Sequence, residues 1–314
     1  MLGRRYRLTC DNVREVEIVT ADGQLLRCNE ESHADLFWAC RGGGGRNFGV
    51  VTTFRFTTHP IPQLSLFMLD WPWSRAASVL GEWQRWMAAA PDELWSNCQL
   101  LSAGSSGQKI RSSGVFVGSL NALESHLNAF VAACGPPSSR FVGSYAYLHT
   151  MLVEAGCDGL ALAACRLAAC RLTAPGGPGT LSRAMFNAKS AYGSKVMSGT
   201  GLEAAVEVIA HAAESAPDAG AGLIFDAYGG VINRVHRDAT AFVHRDALFG
   251  VQMTLEFSPK PIPRRSRNTW AGSSRQLSHL PRRAMARRTR TTSIRPSRIG
   301  RRPTTARTSR DSQQ

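Results

Sequence analysis

Residues 13–20, Val-Arg-Glu-Val-Glu-Ile-Val-Thr, alternate apolar with polar side chains, and after Ala21-Asp22-Gly23 a second short run follows over residues 24–28. Period-two runs joined by a glycine-bearing turn predict a β-hairpin. Ser32 is a candidate cap for a short helix over 33–40, glycines 42–45 mark its end, and 49–56 reads as a strand. Pro60 and Pro62 interrupt the pattern, which restarts with a strand over 64–69 and an amphipathic helix over 75–90. Further strands are predicted at 95–101, 110–117, 222–228 and 248–257, helices at 123–133 and 202–213, and a loop at 175–179. Trp83, Trp86 and Met87 sit at helical spacing and are assigned to the core. Strands separated by helices, with antiparallel-looking alternation, give an α+β fold class.

From residue 261 onward the periodicity ends, and the chain becomes Arg, Ser, Thr, Pro and Ala. Such a composition buries too little surface to offset its ordering entropy, so 261–314 is predicted to be a disordered tail. The formal charge of +14 (pI ≈ 10.1) resides there: residues 264–314 hold fifteen arginines, no lysine and one acid, Asp311. A basic tail that neutralises phosphates would make a nucleic-acid-binding protein, which is the alternative functional reading. The eight cysteines form no C-x-x-C pair and no metal-binding spacing, and Cys157 could pair with Cys165 or Cys170 only in an exported protein. With no secretory h-region and no long apolar stretch, the chain as written is expected to be cytoplasmic and not membrane-bound.

Three segments in order carry a family likeness: Leu8-Thr9-Cys10-Asp11-Asn12-Val13, Val19-Thr20-Ala21-Asp22-Gly23, and the run 35–52 containing Gly42-Gly43-Gly44-Gly45-Arg46-Asn47-Phe48-Gly49-Val50-Val51. They resemble the berberine bridge enzyme and oligosaccharide oxidase family of FAD proteins. Phe186–Tyr192, Phe225–Val235 and Ala239–Phe249 extend the likeness, so it covers roughly residues 6–257. Consecutive glycines let backbone N–H groups approach a pyrophosphate or flavin edge closely. The resemblance implies the C-terminal part of a PCMH-type FAD-binding domain (1–60), then a substrate domain of antiparallel sheet covered by helices (61–260). It implies FAD as cofactor, with Tyr6, Thr9, Asp11, Asn12, Gly44, Gly45, Asn47, Phe48, Gly49, Val50 and Val51 as cofactor-binding residues. It further implies oxidation of a carbohydrate or alcohol by hydride transfer to flavin; no metal and no nucleic-acid partner is expected. The same likeness implies export for full-length relatives. Arg7 and Arg46 stand where the family has glycine. The His-Arg-Asp triplets at 236–238 and 244–246 match a kinase loop in three letters, but no P-loop or Asp-Phe-Gly supports that reading. His244 and Arg245 are expected to pair with carboxylates or backbone near a strand start.

The family's covalent flavin anchors lie upstream of the part matching Leu8, so the fragment is expected to lack them and to be inactive alone. Reading residues 303–314 one base out of register permits Ala-Tyr-Tyr-Gly-Ala-Asn-Leu-Ala-Arg-Leu-Ala-Ala, and 291–295 permits Asn-Tyr-Ile-Asp-Pro. Those strings resemble the family's C-terminal signature, whose active-site tyrosine would fall at Thr292. The tail is therefore expected to be out-of-frame sequence, the frame being lost between about residues 258 and 267.

Overall fold

The computed structural model describes residues 1–103, 107–154, 185–257 and 285–286. The predicted loop at 175–179, Cys157, Cys165, Cys170 and the rest of the tail lie outside the described residues. A small unit opens the chain. After a single turn, α1 (Gly3–Tyr6), and a 3-10 turn (Thr9–Asn12), β1 (Val13–Val19) pairs antiparallel with β2 (Leu25–Cys28) as the alternation predicts. Strand β3 (Val50–Phe56) joins the other side of β1, giving the order β2-β1-β3. Helix α2 (Ala34–Cys40) lies between β2 and β3 in the chain, and its Phe37 closes a small core with Val13, Val16, Ile18 and Cys28. Ser32 does not cap α2. His33, with φ 50°, occupies the cap position, while the Asn29 carboxamide oxygen accepts from the Glu31 and Ser32 amides and holds the turn before it.

The larger unit is one antiparallel sheet in the order β11-β8-β10-β9-β5-β6-β4-β7. Its strands are β4 (Leu64–Pro72), β5 (Leu94–Ala103), β6 (Gln108–Val117), β7 (Ser139–Tyr145), β8 (Met185–Gly193), β9 (Gly220–Ala227), β10 (Phe249–Phe257) and the two-residue β11 (Met285–Ala286). Helices α3 (Ala76–Ala89), α4 (Leu120–Cys134) and α6 (Gly199–Ser215) cover one face; α5 (Tyr147–Glu154) follows β7 and α7 (Val231–Arg234) follows β9. Helix α3 buries Ala76, Val79, Leu80, Trp83 and Met87, a single stripe at helical period. Trp86 stacks on Phe130 of α4 with centroids 4.5 Å apart, so all three residues assigned to the core pack there. Two polar groups inside this layer are satisfied. The Trp83 indole donates to Ser96 Oγ at 3.0 Å, and buried Gln84 accepts from the Met197 amide at 2.8 Å, fixing the chain that enters α6. Ser119 and Ser198 cap α4 and α6, so both helices begin about three residues earlier than hydrophobic periodicity alone predicts.

Two polar clasps join the units. Arg4 is 3% exposed and its guanidinium donates to the carbonyls of Leu94 (2.8 Å), Ala90 (2.9 Å) and Tyr228. Arg245 grips Asp11 with both terminal nitrogens, at 2.9 and 2.5 Å, in a pair whose side chains are 4% and 2% exposed. Arg245 also donates to Thr240 Oγ1 at 2.8 Å. The second His-Arg-Asp triplet thus supplies the interunit ion pair. The first lies in a loop held by Trp38, whose indole donates to the Asp238 carbonyl at 2.8 Å.

Candidate active site

The face of the large sheet opposite α3, α4 and α6 opens into a cleft of about 350 Å³ over β8, β9 and β10, with the first residues of the chain forming a wall. Register places Tyr192, Gly250 and Asp226 in one cross-strand row, and Ser190 beside Gln252 in another. Gly250 leaves room between its neighbours: a Cβ there would lie 3.2 Å from the Tyr228 ring and 3.5 Å from that of Tyr192. The two tyrosine hydroxyls come within 3.4 Å and their rings meet edge to face. His244 stacks on Tyr192 at 3.8 Å and Phe242 stacks on Tyr228 at 6.3 Å, so both phenols are braced from behind.

Burial raises the Asp226 carboxyl above its ordinary range. Burial, then the hydrogen bond to Tyr192, keeps the Tyr228 phenol protonated to higher pH. Burial lowers the His244 imidazole below its ordinary range, and its Nε2 is buried without a partner among the described residues. A carboxyl with a raised pKa on a strand floor, in a cleft that two phenols also line, can accept a proton from an alcohol.

The cofactor-binding residues read from the sequence fall into two groups. Tyr6, Asp11 and Asn12 line a second cleft of about 480 Å³ on the other side of the residue 5–14 segment. Asp11 has both oxygens engaged, accepting from Arg245 and from the Leu8 amide at 3.0 Å. Asn12 donates to the carbonyls of Tyr6 and Leu8 at 2.8 and 3.0 Å, so these two side chains shape the turn; Thr9 there is exposed. The second group is the glycine loop. Gly42 and Gly43 serve packing: added Cβ atoms would lie 2.7 Å from Phe242 and 2.4 Å from the Ala39 carbonyl. Gly44 and Gly45 border open space instead, with nothing nearer than 3.8 Å. Asn47 donates to the Gly43 carbonyl at 3.0 Å and holds the loop's shape. Gly49 lets β3 approach β1, since a Cβ would lie 2.2 Å from the Val19 carbonyl. Phe48 (44%) and Val50 (70%) are exposed, and Val51 packs on the small core.

Arg7 and Arg46 have φ of 69° and 68°, the left-handed conformation that favours glycine. Asp226, Tyr192, Tyr228 and Gln252 were not singled out as site residues from sequence, because what joins them is cross-strand register. Among the described residues no group of His, Cys, Asp or Glu could hold a metal, the five described cysteines are free, and no helix is long and apolar enough to cross a membrane.

Comparison with known proteins gives this arrangement a lineage. YgaK of Bacillus subtilis, an uncharacterized FAD-linked oxidoreductase, is 30% identical over 276 residues, which is 86% of this chain and 54% of that one. The chain is a homologue of the FAD-linked, berberine bridge enzyme-like oxidoreductases. Two solved structures share the fold: berberine bridge enzyme-like 1 of Physcomitrella patens (TM-score 0.75, 23% identity, 89% of this chain, 57% of that one) and a chitooligosaccharide oxidase (TM-score 0.72, 21% identity, 91% and 58%). No protein-family model matches. The chain spans about half the length of the curated relatives it matches at full coverage.

Proposed function

We propose that this chain carries the substrate-binding sheet and one wall of the flavin site of an FAD-dependent oxidoreductase that oxidises a hydroxyl of a carbohydrate or other alcohol. The observation that carries the reading is Asp226, a partly buried carboxyl of raised pKa on the floor of the cleft that the paired Tyr192 and Tyr228 hydroxyls also line. The oligosaccharide named in one structural neighbour supports a sugar as the substrate class. FAD, when bound, supplies the hydride acceptor.

The residues present fit that group at the glycine loop, where Gly44 and Gly45 leave backbone open to close approach and Phe48 and Val50 offer apolar surface. Asp226 takes the hydroxyl proton. Tyr192 and Tyr228 orient the substrate oxygen, and Gln252, one row along the floor, donates to or accepts from a neighbouring hydroxyl. A further part of the proposal concerns residues 264–314: their lysine-free composition and decodable strings support out-of-frame sequence of the same family, testable by resequencing the gene across codons 258–267.

Mixing the purified protein with FAD, removing free cofactor and recording the visible spectrum tests the reading. Little retained flavin is expected of this polypeptide, in keeping with the inactivity expected of it alone; stoichiometric absorbance that bleaches on anaerobic addition of an oligosaccharide would show it to be a working oxidase. Stoichiometric flavin that neither an oligosaccharide nor a simple alcohol bleaches would overturn the proposal.

A further inference from the structure

We propose that the second cleft, on the outer side of the residue 5–14 segment, is a binding site for a diphosphate-bearing ligand, built by Arg7, Arg14 and Arg41. Four guanidiniums line this cavity of about 480 Å³. Arg5 is engaged at one edge by Glu93 at 3.0 Å, but the other three are not neutralised. Among the described residues Arg14 donates only its Nε, to Thr57 Oγ1 at 2.6 Å, which leaves its terminal nitrogens without a protein acceptor there. Arg41 lies over the Phe37 ring at 4.1 Å and donates one terminal nitrogen to the Ala239 carbonyl at 3.2 Å; its Nε is buried without a partner. Among the described residues the Arg7 side chain makes no hydrogen bond or ion pair.

The carboxylates of the lining do not balance this charge. Asp11 is consumed by Arg245, and exposed Glu30 is left as the one unpaired acid. Planar guanidiniums held in place by a ring and by backbone match the oxygens of a phosphate through paired N–H donors, and two adjacent phosphates use several such forks. Tyr6 stacked on His59, with centroids 4.5 Å apart, adds an aromatic wall of the kind that accepts a nucleobase. Arg7 adopts a conformation that any L side chain strains to hold, and it brings a free cation to the cleft.

Diphosphate could reach the cleft as part of FAD or as a free nucleotide. The inference does not depend on flavin binding. The test is calorimetric titration of the full chain with inorganic pyrophosphate and with ADP, alongside riboflavin, which has no phosphate. One equivalent of pyrophosphate is expected to bind, weakened about tenfold by Arg7→Gly and by Arg41→Gln, the loss of one charge-assisted contact in each. Arg7→Gly relaxes a left-handed residue, so its melting temperature should hold or rise and weakened binding cannot be ascribed to unfolding. Arg298→Gly removes the same charge from the arginine-rich end and should leave the titration unaltered. Riboflavin should bind Arg7→Gly as it binds the parent chain.

Loading with FAD before titration separates the two sources: blocked pyrophosphate uptake assigns the site to the cofactor's diphosphate, and unchanged uptake assigns it to a free nucleotide. The proposal is overturned by no saturable pyrophosphate uptake, by uptake that Arg7→Gly and Arg41→Gln leave unchanged, or by an equal loss in Arg298→Gly. Pyrophosphate binding in a chain whose retained flavin neither an oligosaccharide nor an alcohol bleaches would sink the oxidase reading and leave this one standing.

Discussion

The two units of this molecule are held together differently. The large sheet buries one face under three helices whose aromatic and aliphatic side chains interlock, with Trp71, Trp83, Phe67 and Phe130 almost wholly removed from solvent. The small sheet has a core of five buried residues, and its β3 leaves Val50, Phe54 and Phe56 exposed. Apolar burial scales with size, so a unit this small gains little from its own core. It is fastened instead by buried guanidiniums, Arg245 on Asp11 and Arg4 on four carbonyls. The glycine loop therefore rides on a polar clasp, while the floor of the cleft rides on a largely apolar core.

The sharpest way to break this contrast is Asp11→Ala. It strands Arg245 in a site where its side chain is 4% exposed, and removing one partner of a buried pair costs about 3–5 kcal/mol. Urea unfolding should show that loss, and hydrogen exchange should locate the new opening in residues 8–56. Protection unchanged there would mean that the small sheet does not need the clasp. Phe37→Ala, at about 3–5 kcal/mol, and Leu100→Ala, at about 2–5 kcal/mol, sharpen the same comparison because each empties one core. The first should open the small sheet alone. The second should lower protection across all the central strands, as expected of one cooperative sheet.

How much of this was legible in the sequence follows from the same division. The β1–β2 hairpin and helices α3, α4 and α6 announce themselves, since each has one face in a core and a polar face outside. Strand β7 does not: Ser139, Arg140 and Phe141 are all exposed on an edge strand, so no alternation marks it. The kinase-like triplet at 244–246 could not be assigned from spacing, because the partner of Arg245 lies 234 residues earlier. Asp226 is a single acid inside an apolar run. Only pairing with Gly250, and through it with Tyr192, makes a site of it. The glycine loop was half legible: the run marks backbone that must lie close to something, but Gly42 and Gly43 lie close to protein and only Gly44 and Gly45 border open space.

Backbone strain gives a smaller effect of opposite sign. Arg46 has φ of 68° at a fully exposed loop position, where a left-handed L residue costs about 1–2 kcal/mol relative to glycine, offset in part by the greater freedom of glycine in the unfolded chain. Arg46→Gly should therefore raise stability by about 0.5–1 kcal/mol, read as a shift in the urea midpoint without a change in slope. If the clasp and not the loop limits the small sheet, the gain should vanish in an Asp11→Ala background.

The smallest expected effect bears on the substrate face. The Asp226 carboxyl has a folded-state pKa raised by burial, so the folded protein binds its proton more tightly than the unfolded chain does. For an acid shifted in this direction the sign is fixed: stability falls as pH rises from the unfolded value, about 3.9, through the raised folded value, and the full penalty persists above it. Asp226→Asn has no charge to bury. Its melting temperature should match that of the parent chain in the acid range where the parent's Asp226 is protonated both folded and unfolded, and exceed it at neutral pH. A pH-independent difference would show that the carboxylate is solvated in the cleft and would remove it as the proton acceptor. The opposite sign, with Asn less stable at neutral pH, would mean that a cation holds Asp226 in its charged form. Retained oxidation by Asp226→Asn in a flavin-loaded protein would move the base elsewhere on the floor, while a gain in stability coupled to lost turnover is what a carboxyl held ready for a substrate proton predicts.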